Sequence, residues 1–205
     1  MPTATYWSDF QKAARDILRR DLSEEERGRF EKYLALLVEW NRVHRLIGSS
    51  DPGWIVEHVF LDSLLFLRAL PHDVGALADV GSGAGIPGLP IKIVRFSLRI
   101  TLIEARQHRI SFLKTVIREL RLSGASLVEG RVEEIPENLL GTFDAAVARC
   151  AGPSDQVFEW ATPLVKPRGL VVIGGPERVR SVPGLVKVQG WRRGQSRHFL
   201  VQRRS

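Results

Sequence analysis

The sequence has one cysteine, Cys150, so no disulfide can form within the chain. It also lacks a long apolar run: stretches such as 169–176 fall well short of the roughly 20 residues that a membrane-spanning helix needs. Met1 to Phe10 shows neither the basic n-region nor the apolar h-region of a secretory signal. A reducing cytoplasm is the expected home, with no membrane partner. Acidic residues are missing from Arg178 to Ser205, where eight lysines and arginines stand, more than the net excess of +7 of the whole chain. Metal-site patterns are missing too. There is no HExxH, and the five histidines (His44, His58, His72, His108, His198) never fall at i, i+3 or i+4 spacing, so no metal is expected.

What remains is an ordinary globular composition. The chain has 205 residues, 44% of them hydrophobic and 26% charged, enough to bury a core without a staple. Phe30, Tyr33, Leu34 and Leu37 recur at helical spacing, as do Val56, Val59, Phe60, Leu64 and Leu67. Ser23 before Glu24, Glu25 and Glu26 reads as an N-cap with acids in the positive first turn. Residues 1–74 are therefore expected to form a helical cap of two or three amphipathic helices, with loops at 48–53 and 71–75. Residues 75–205 form the second part, and the two make one compact unit, expected as a monomer.

From Leu77 the pattern changes to short apolar runs: Leu77 to Val80, Ile100 to Ile103, Ser126 to Val128, Phe143 to Ala148 and Leu170 to Ile173. A candidate helix is expected after each of the first four. In Arg106 to Leu122, for instance, Ile110, Leu113, Ile117 and Leu120 share one face. Strand–helix repetition at this spacing implies an α/β fold, a mainly parallel Rossmann-like sheet with helices on both faces. Ligands of such sheets bind at the carboxyl ends of the strands, near the topological switch point.

The first strand ends in Asp79-Val-Gly-Ser-Gly-Ala-Gly-Ile-Pro-Gly88. Gly83, Gly85 and Gly88 fit the dinucleotide pattern GxGxxG, but that frame begins two residues after the strand should end. Gly81, Gly83 and Gly85 make a GxGxG turn directly after Val80, a loop typical of S-adenosylmethionine (SAM) binding, and this frame fits the strand better. Glu104 closes the second strand, where an acid can accept both hydroxyls of a ribose or serve as an acid at the start of the next helix. The third strand ends near Glu129-Gly-Arg-Val-Glu-Glu134, a segment that flanks the adenine in nucleoside-binding sheets.

At the end of the fourth strand, no Asp/Asn-Pro-Pro-aromatic sequence is present, as methylation of exocyclic amines would require. Cys150 stands near the position of a cytosine-C5 nucleophile but follows Arg149, so it reads first as a small buried residue and second as a thiolate. Arg149 ends a buried strand; its fork either holds a carboxylate or phosphate, or makes an ion pair with a nearby acid. The basic tail with Trp191 and His198 reads as a solvated strand and turn, or as a surface for phosphates and stacked bases.

Read together, these residues resemble the RsmG family, formerly called GidB, of SAM-dependent methyltransferases acting on guanine N7 in small-subunit (16S) ribosomal RNA. The resemblance runs from about Tyr33 to His198 and is carried by Asp79 to Gly88, by Arg131-Val-Glu-Glu134, and by Arg149 followed by Ala151; Trp40-Asn41, His58 and Asp62-Ser63 support it. It implies SAM held by Gly81, Ile86, Val132, Glu133 and Arg149. With the loop and the second-strand acid, the expected cofactor residues are Gly81, Gly83, Gly85, Ile86, Glu104, Val132, Glu133 and Arg149. RNA contacts are expected at Arg192, Arg193, Arg197 and His198, with ribosomal RNA, free or within the assembling small subunit, as partner.

The chain departs from the family twice: Ile173-Gly174-Gly175 stands where Leu-Lys-Gly is usual, and Arg45-Leu46-Ile47 where Asn-Leu-Thr is usual. By the resemblance, both differences bear on the expected RNA contacts rather than on the cofactor site. Guanine N7 carries an in-plane lone pair and no proton, so its methylation needs no general base, and no catalytic residue is expected. Two other readings remain open: an RNA methyltransferase of another specificity, such as cytosine-C5 through Cys150, and a non-catalytic RNA-binding relative.

Overall fold

The computed structural model describes residues 3–149, 151–175, 183–192 and 194–205. Its N-terminal third is helical. Helix α1 spans Thr3–Leu18 and α2 spans Glu24–His44. Ser23 caps α2 as its sequence requires: its hydroxyl accepts from the Glu26 N–H (3.1 Å), and the Glu26 carboxylate accepts from the Ser23 N–H (2.8 Å), a complete capping box. A third helical run changes its winding along its length, from an α turn, α3 (Pro52–Ile55), through a π-helical segment, Val56–Leu61, to α4 (Asp62–Leu64) and a 3-10 turn, Leu65–Arg68. Asp51 starts it by accepting from the Trp54 N–H at 2.7 Å.

The rest is a seven-stranded sheet with the order β3-β2-β1-β4-β5-β7-β6. Strands β1 (Ala76–Val80), β2 (Arg99–Glu104), β3 (Ala125–Glu129), β4 (Phe143–Ala148) and β5 (Val165–Gly174) are parallel. Helices α5 (Gly88–Val94), α6 (Gln107–Glu119) and α7 (Ser154–Ala161) follow β1, β2 and β4. The helix expected after the third strand is not there. Two 3-10 turns, Val132–Glu134 and Glu137–Leu139, take its place, because Pro136 interrupts the segment before a second helical turn can form. The basic tail is a hairpin, β6 (Leu185–Gln189) and β7 (Ser196–Arg203), with β7 antiparallel to β5.

Strand order reverses between β1 and β4, so the carboxyl ends of these two strands open a crevice. One face of the sheet shares a continuous apolar cluster with the N-terminal helices, in which Phe10, Phe30 and Phe60 are fully buried and meet at ring-centroid distances of 4.9 to 6.3 Å. Each such ring contributes about 1.5–3 kcal/mol by leaving water. Tyr33 of α2 reaches further in, and its hydroxyl donates to the Ala84 carbonyl in the loop after β1. The helical cap is thereby tied to that loop. Helix α7 covers the other face with Val157 and Ala161. None of the described helices is long and apolar enough to cross a membrane.

Candidate active site

The loop after β1 turns back sharply, with Gly81, Gly83 and Gly85 at φ +66°, +60° and +86°. These left-handed values favour glycine, but the three positions are not equivalent. At Gly81 a Cβ would come within 2.9 Å of the Ala151 side chain, where the chain passes after β4. At Gly85 a Cβ would lie 2.3 Å from Leu89 Cδ1, so glycine is needed there for packing beneath the turn. Below the loop, Asp79 is fully buried, and its Oδ2 accepts from the Gly88 N–H at 2.9 Å while Oδ1 has no partner among the described residues. Burial pushes its carboxyl up to about 7; the Gly88 bond opposes this, and the charge of Glu104 adds to it.

Above the loop lies a cleft of ≈ 270 Å³ at the carboxyl ends of β1 and β4. Gly81, Gly83, Ile86 and Arg149 line it together, as the sequence places them. Glu104 sits at its edge, buried, with Oε2 accepting from the Gly83 N–H (2.8 Å) and Oε1 from the Ala105 (3.0 Å) and Arg106 (2.9 Å) N–H groups. It therefore acts as a helix N-terminal acid and shapes the glycine turn. Gly85 packs below, while Val132 and Glu133, in the 3-10 turn after β3, do not line the cleft. The opposite wall comes from the cap: Leu46, Ile47, Gly48, Trp54 and Val59, none of which the sequence marks as a cofactor residue; Leu46 and Ile47, where the chain departs from the family, thus line the same cleft as the glycine turn. Nor does the sequence mark Arg109, in the first turn of α6, whose Nη1 lies 3.6 Å from Glu104 and whose buried Nε–H has no acceptor among the described residues.

Arg149 is held from the cap. Its Nη2 donates to the His58 carbonyl at 2.7 Å, within the π-helical segment, and its Nη1 lies 3.3 Å from Asp62 Oδ2. The other Asp62 oxygen lies 2.8 Å from Nε of Arg197 on β7, whose Nη1 donates to the Gly175 carbonyl. Asp62 is only 8% exposed and thus stands between two guanidiniums, one from the cleft and one from the hairpin. A Cβ at Gly174 would lie 3.2 Å from the Phe66 ring and in ordinary contact, 3.4 Å, with Arg197 Nη2. The remaining tail residues are dispersed. Arg192 pairs with Glu57 at 2.8 Å, and His198, opposite Lys187 on β6, has a buried Nδ1 without a partner among the described residues. Arg193 and Cys150 lie outside the described residues.

A family model described as "GidB: rRNA small subunit methyltransferase G" matches residues 26–176. The chain belongs to this family. Among curated relatives, the chain is 37% identical over 157 residues to a ribosomal RNA small subunit methyltransferase G of Leuconostoc citreum, covering 74% of this chain and 66% of that one. It is 41% identical over 144 residues to the protein of the same description in Sorangium cellulosum (69% and 60%), and 33% identical over 175 residues to that of Polynucleobacter asymbioticus (83% and 79%). The chain thus spans slightly less than two thirds of the length of the first two.

Solved structures give the fold. A SAM-dependent methyltransferase from Aquifex aeolicus superposes with a TM-score of 0.54 at 16% identity, over 76% of this chain and 94% of that one. A precorrin-6y C5,15-methyltransferase from Geobacter metallireducens does so at 0.50 and 19%, over 65% of each. Like them, this GidB-family chain has the SAM-methyltransferase sheet, with the parallel strands closed off by an antiparallel pair.

Proposed function

We propose that the protein transfers the methyl group of SAM to N7 of a guanine in 16S ribosomal RNA. The observation that carries this reading is the cleft at the β1/β4 switch point, which joins the glycine turn to Arg149, in a chain of the GidB family. The residues present suit SAM. Gly81 and Gly83 offer bare backbone, and Arg109 Nε keeps a buried N–H that hydrogen-bonds nothing among the described residues, so a carboxylate or hydroxyl would satisfy it; Arg149 Nη1, 3.3 Å from Asp62, makes no hydrogen bond among them either and faces the same cleft. Glu104 and Ile86 complete the cradle, and Val132 and Glu133 flank it beyond β3.

When bound, SAM supplies an electrophilic methyl group, and an unprotonated N7 can accept it without a general base. The chain's own work is therefore alignment and exclusion of water. Arg149, fixed by Asp62 and the His58 carbonyl, sets the position of the donor. Trp54, Ile47 and Val59 form an apolar wall where the flat base would enter, splayed from its stack because N7 lies in the deep groove of A-form RNA.

Incubation of the purified protein with methyl-labelled SAM and 16S RNA, followed by nucleoside mass spectrometry, tests the reading. Label in 7-methylguanosine is expected. Label in 5-methylcytosine, lost in Cys150→Ala, would replace it with cytosine chemistry, and absence of both SAM binding and label would leave a non-catalytic relative.

A further inference from the structure

The described arginines of the C-terminal hairpin are engaged by the protein itself. Arg192 meets Glu57 and Arg197 meets Asp62; Arg203 donates to the Arg168 carbonyl, and Arg204 to the Pro163 (3.1 Å) and Val165 carbonyls. The opposite holds at the C-terminus of α2. Arg42, Arg45 and Arg106 are exposed, and their guanidiniums form no ion pair or hydrogen bond among the described residues. Arg42 and Arg45 line an open hollow of ≈ 700 Å³ together with Asn41 and residues 46–50. That hollow shares Leu46, Ile47 and Gly48 with the cleft, so one short loop is the wall of both.

The wall is built to stay in place. Asn41, buried at the end of α2, accepts from the Ile47 N–H (2.8 Å) and donates to the Ser49 carbonyl (3.2 Å) and the Ser50 hydroxyl (2.9 Å). Arg45 ends the helix at φ +45°, its N–H on the Asn41 carbonyl at 3.2 Å. His44 lies over His108 with ring centroids 5.9 Å apart and planes 17° from parallel, which joins this corner to the first turn of α6, next to Arg106. Between Arg42 and His44, Val43 is 77% exposed on the same rim. Unpaired cations on a rigid surface that continues into a catalytic cleft match a polyanion whose reacting unit must enter that cleft.

We propose that the hollow formed by Arg42, Arg45 and the 46–50 loop holds backbone phosphates of the RNA strand flanking the target guanine, while the C-terminal hairpin braces Arg149 through Arg197 and Asp62. The proposal rests on the RNA-methyltransferase reading above. Phosphate contacts set position without reading sequence, so the hollow serves affinity and register, and the choice of base stays with the cleft.

Binding of 16S RNA and of an unrelated RNA of equal length, measured against salt concentration for the full chain, tests it. In R42Q/R45Q, affinity for both RNAs should fall alike, and the slope of log affinity against log salt should flatten by about 1.4–1.8, the counterion release of two phosphates. SAM affinity and the thermal midpoint should stay at wild-type values, and saturating RNA should restore methyl transfer. In R192Q/R203Q the slope should not change. An unchanged slope in R42Q/R45Q, or a flattening found only in R192Q/R203Q, overturns the hollow as the RNA surface. A wild-type protein that binds RNA through these arginines yet transfers no methyl to it would overturn the proposed activity alone, and one without affinity for RNA would overturn both.

Discussion

Replacing Asp62 with alanine tests the central coupling of the site. The carboxylate stands 3.3 Å from Arg149 Nη1 and 2.8 Å from Arg197 Nε, and the side chains of the two arginines are only 19% and 16% exposed. Removing one partner of a buried ion pair costs roughly 3–5 kcal/mol, because a charge is left without compensation in a poorly solvated place. Here two charges are left, but each keeps a second acceptor, the His58 carbonyl for Arg149 and the Gly175 carbonyl for Arg197. The lower end, about 3 kcal/mol, is therefore expected. For a chain of this size that corresponds to a fall in Tm of about 6–12 °C. Asp62→Asn keeps an acceptor oxygen and should lose about half as much.

The functional effect should follow the geometry. With Asp62 gone, Arg149 is held only by a backbone carbonyl, and SAM affinity, measured by titration calorimetry at a temperature where the variant is folded, should fall more than in Arg197→Gln, which leaves the Asp62–Arg149 contact in place. The double variant D62A/R197Q should be less destabilised than the sum of the single ones, since it removes one of the stranded charges. Asp62→Ala within about 0.5 kcal/mol of wild type, with unchanged SAM affinity, would show that the two arginines are solvated independently and that Asp62 couples nothing.

Three further outcomes follow from the loop and its foundation. Asp79 has a folded-state pKa of about 7 against an ordinary 3.8, so between those pH values the folded protein holds a proton that the unfolded chain has released. Stability should then fall as pH rises through that window, by about 4 kcal/mol at 1.36 kcal/mol per unit, and Asp79→Asn should flatten the dependence; parallel curves of urea midpoint against pH for the two proteins would refute this. Gly85→Ala puts a Cβ 2.3 Å from Leu89 Cδ1 at φ +86°, and left-handed strain with overpacking should cost about 2–5 kcal/mol in urea unfolding; a loss under about 1 kcal/mol would mean that Leu89 moves aside freely. Arg149→Ala should remove most SAM affinity while the circular dichroism of the sheet persists, and Arg149→Lys should restore it only in part because the fork is lost; full affinity in the alanine variant would confine Arg149 to its pair with Asp62.

The parts of this molecule that are legible in its sequence are those set by local chemistry. Strands β1 to β4 stand out because each is a short apolar run bounded by turn residues, β5 does so only over its second half, since residues 166–169 are polar or turn formers, and the start of α2 does so because Ser23 and Glu26 cap each other across three positions. The glycine turn is legible as a motif, yet the motif hides a division of labour: Gly81 faces Ala151 at the mouth of the cleft, and Gly85 faces Leu89 underneath. A pattern of identical residues cannot record which neighbour each will meet. The missing helix after β3 shows a related limit, since Val132, Glu133 and Glu134 favour a helical turn and only Pro136, two residues further on, stops it.

Charge was the least legible feature, for a physical reason. Along the chain the tail is the most basic segment, but whether a cation is available to RNA depends on the acceptors that folding brings to it. Arg197 meets an aspartate 135 residues away, and Arg192 a glutamate 135 residues away, pairings set by where the hairpin lies beside β5 and where the third helical run places Glu57 and Asp62. Arg42 and Arg45 sit in a stretch with no marked excess of charge, and their exposure follows from Asn41 tying down the loop beyond them. Local density of arginine therefore measures the charge a segment contributes, while the fold decides how much of it faces solvent; a segment added late to the sheet edge, lying against an acidic cap residue, is where the two diverge most.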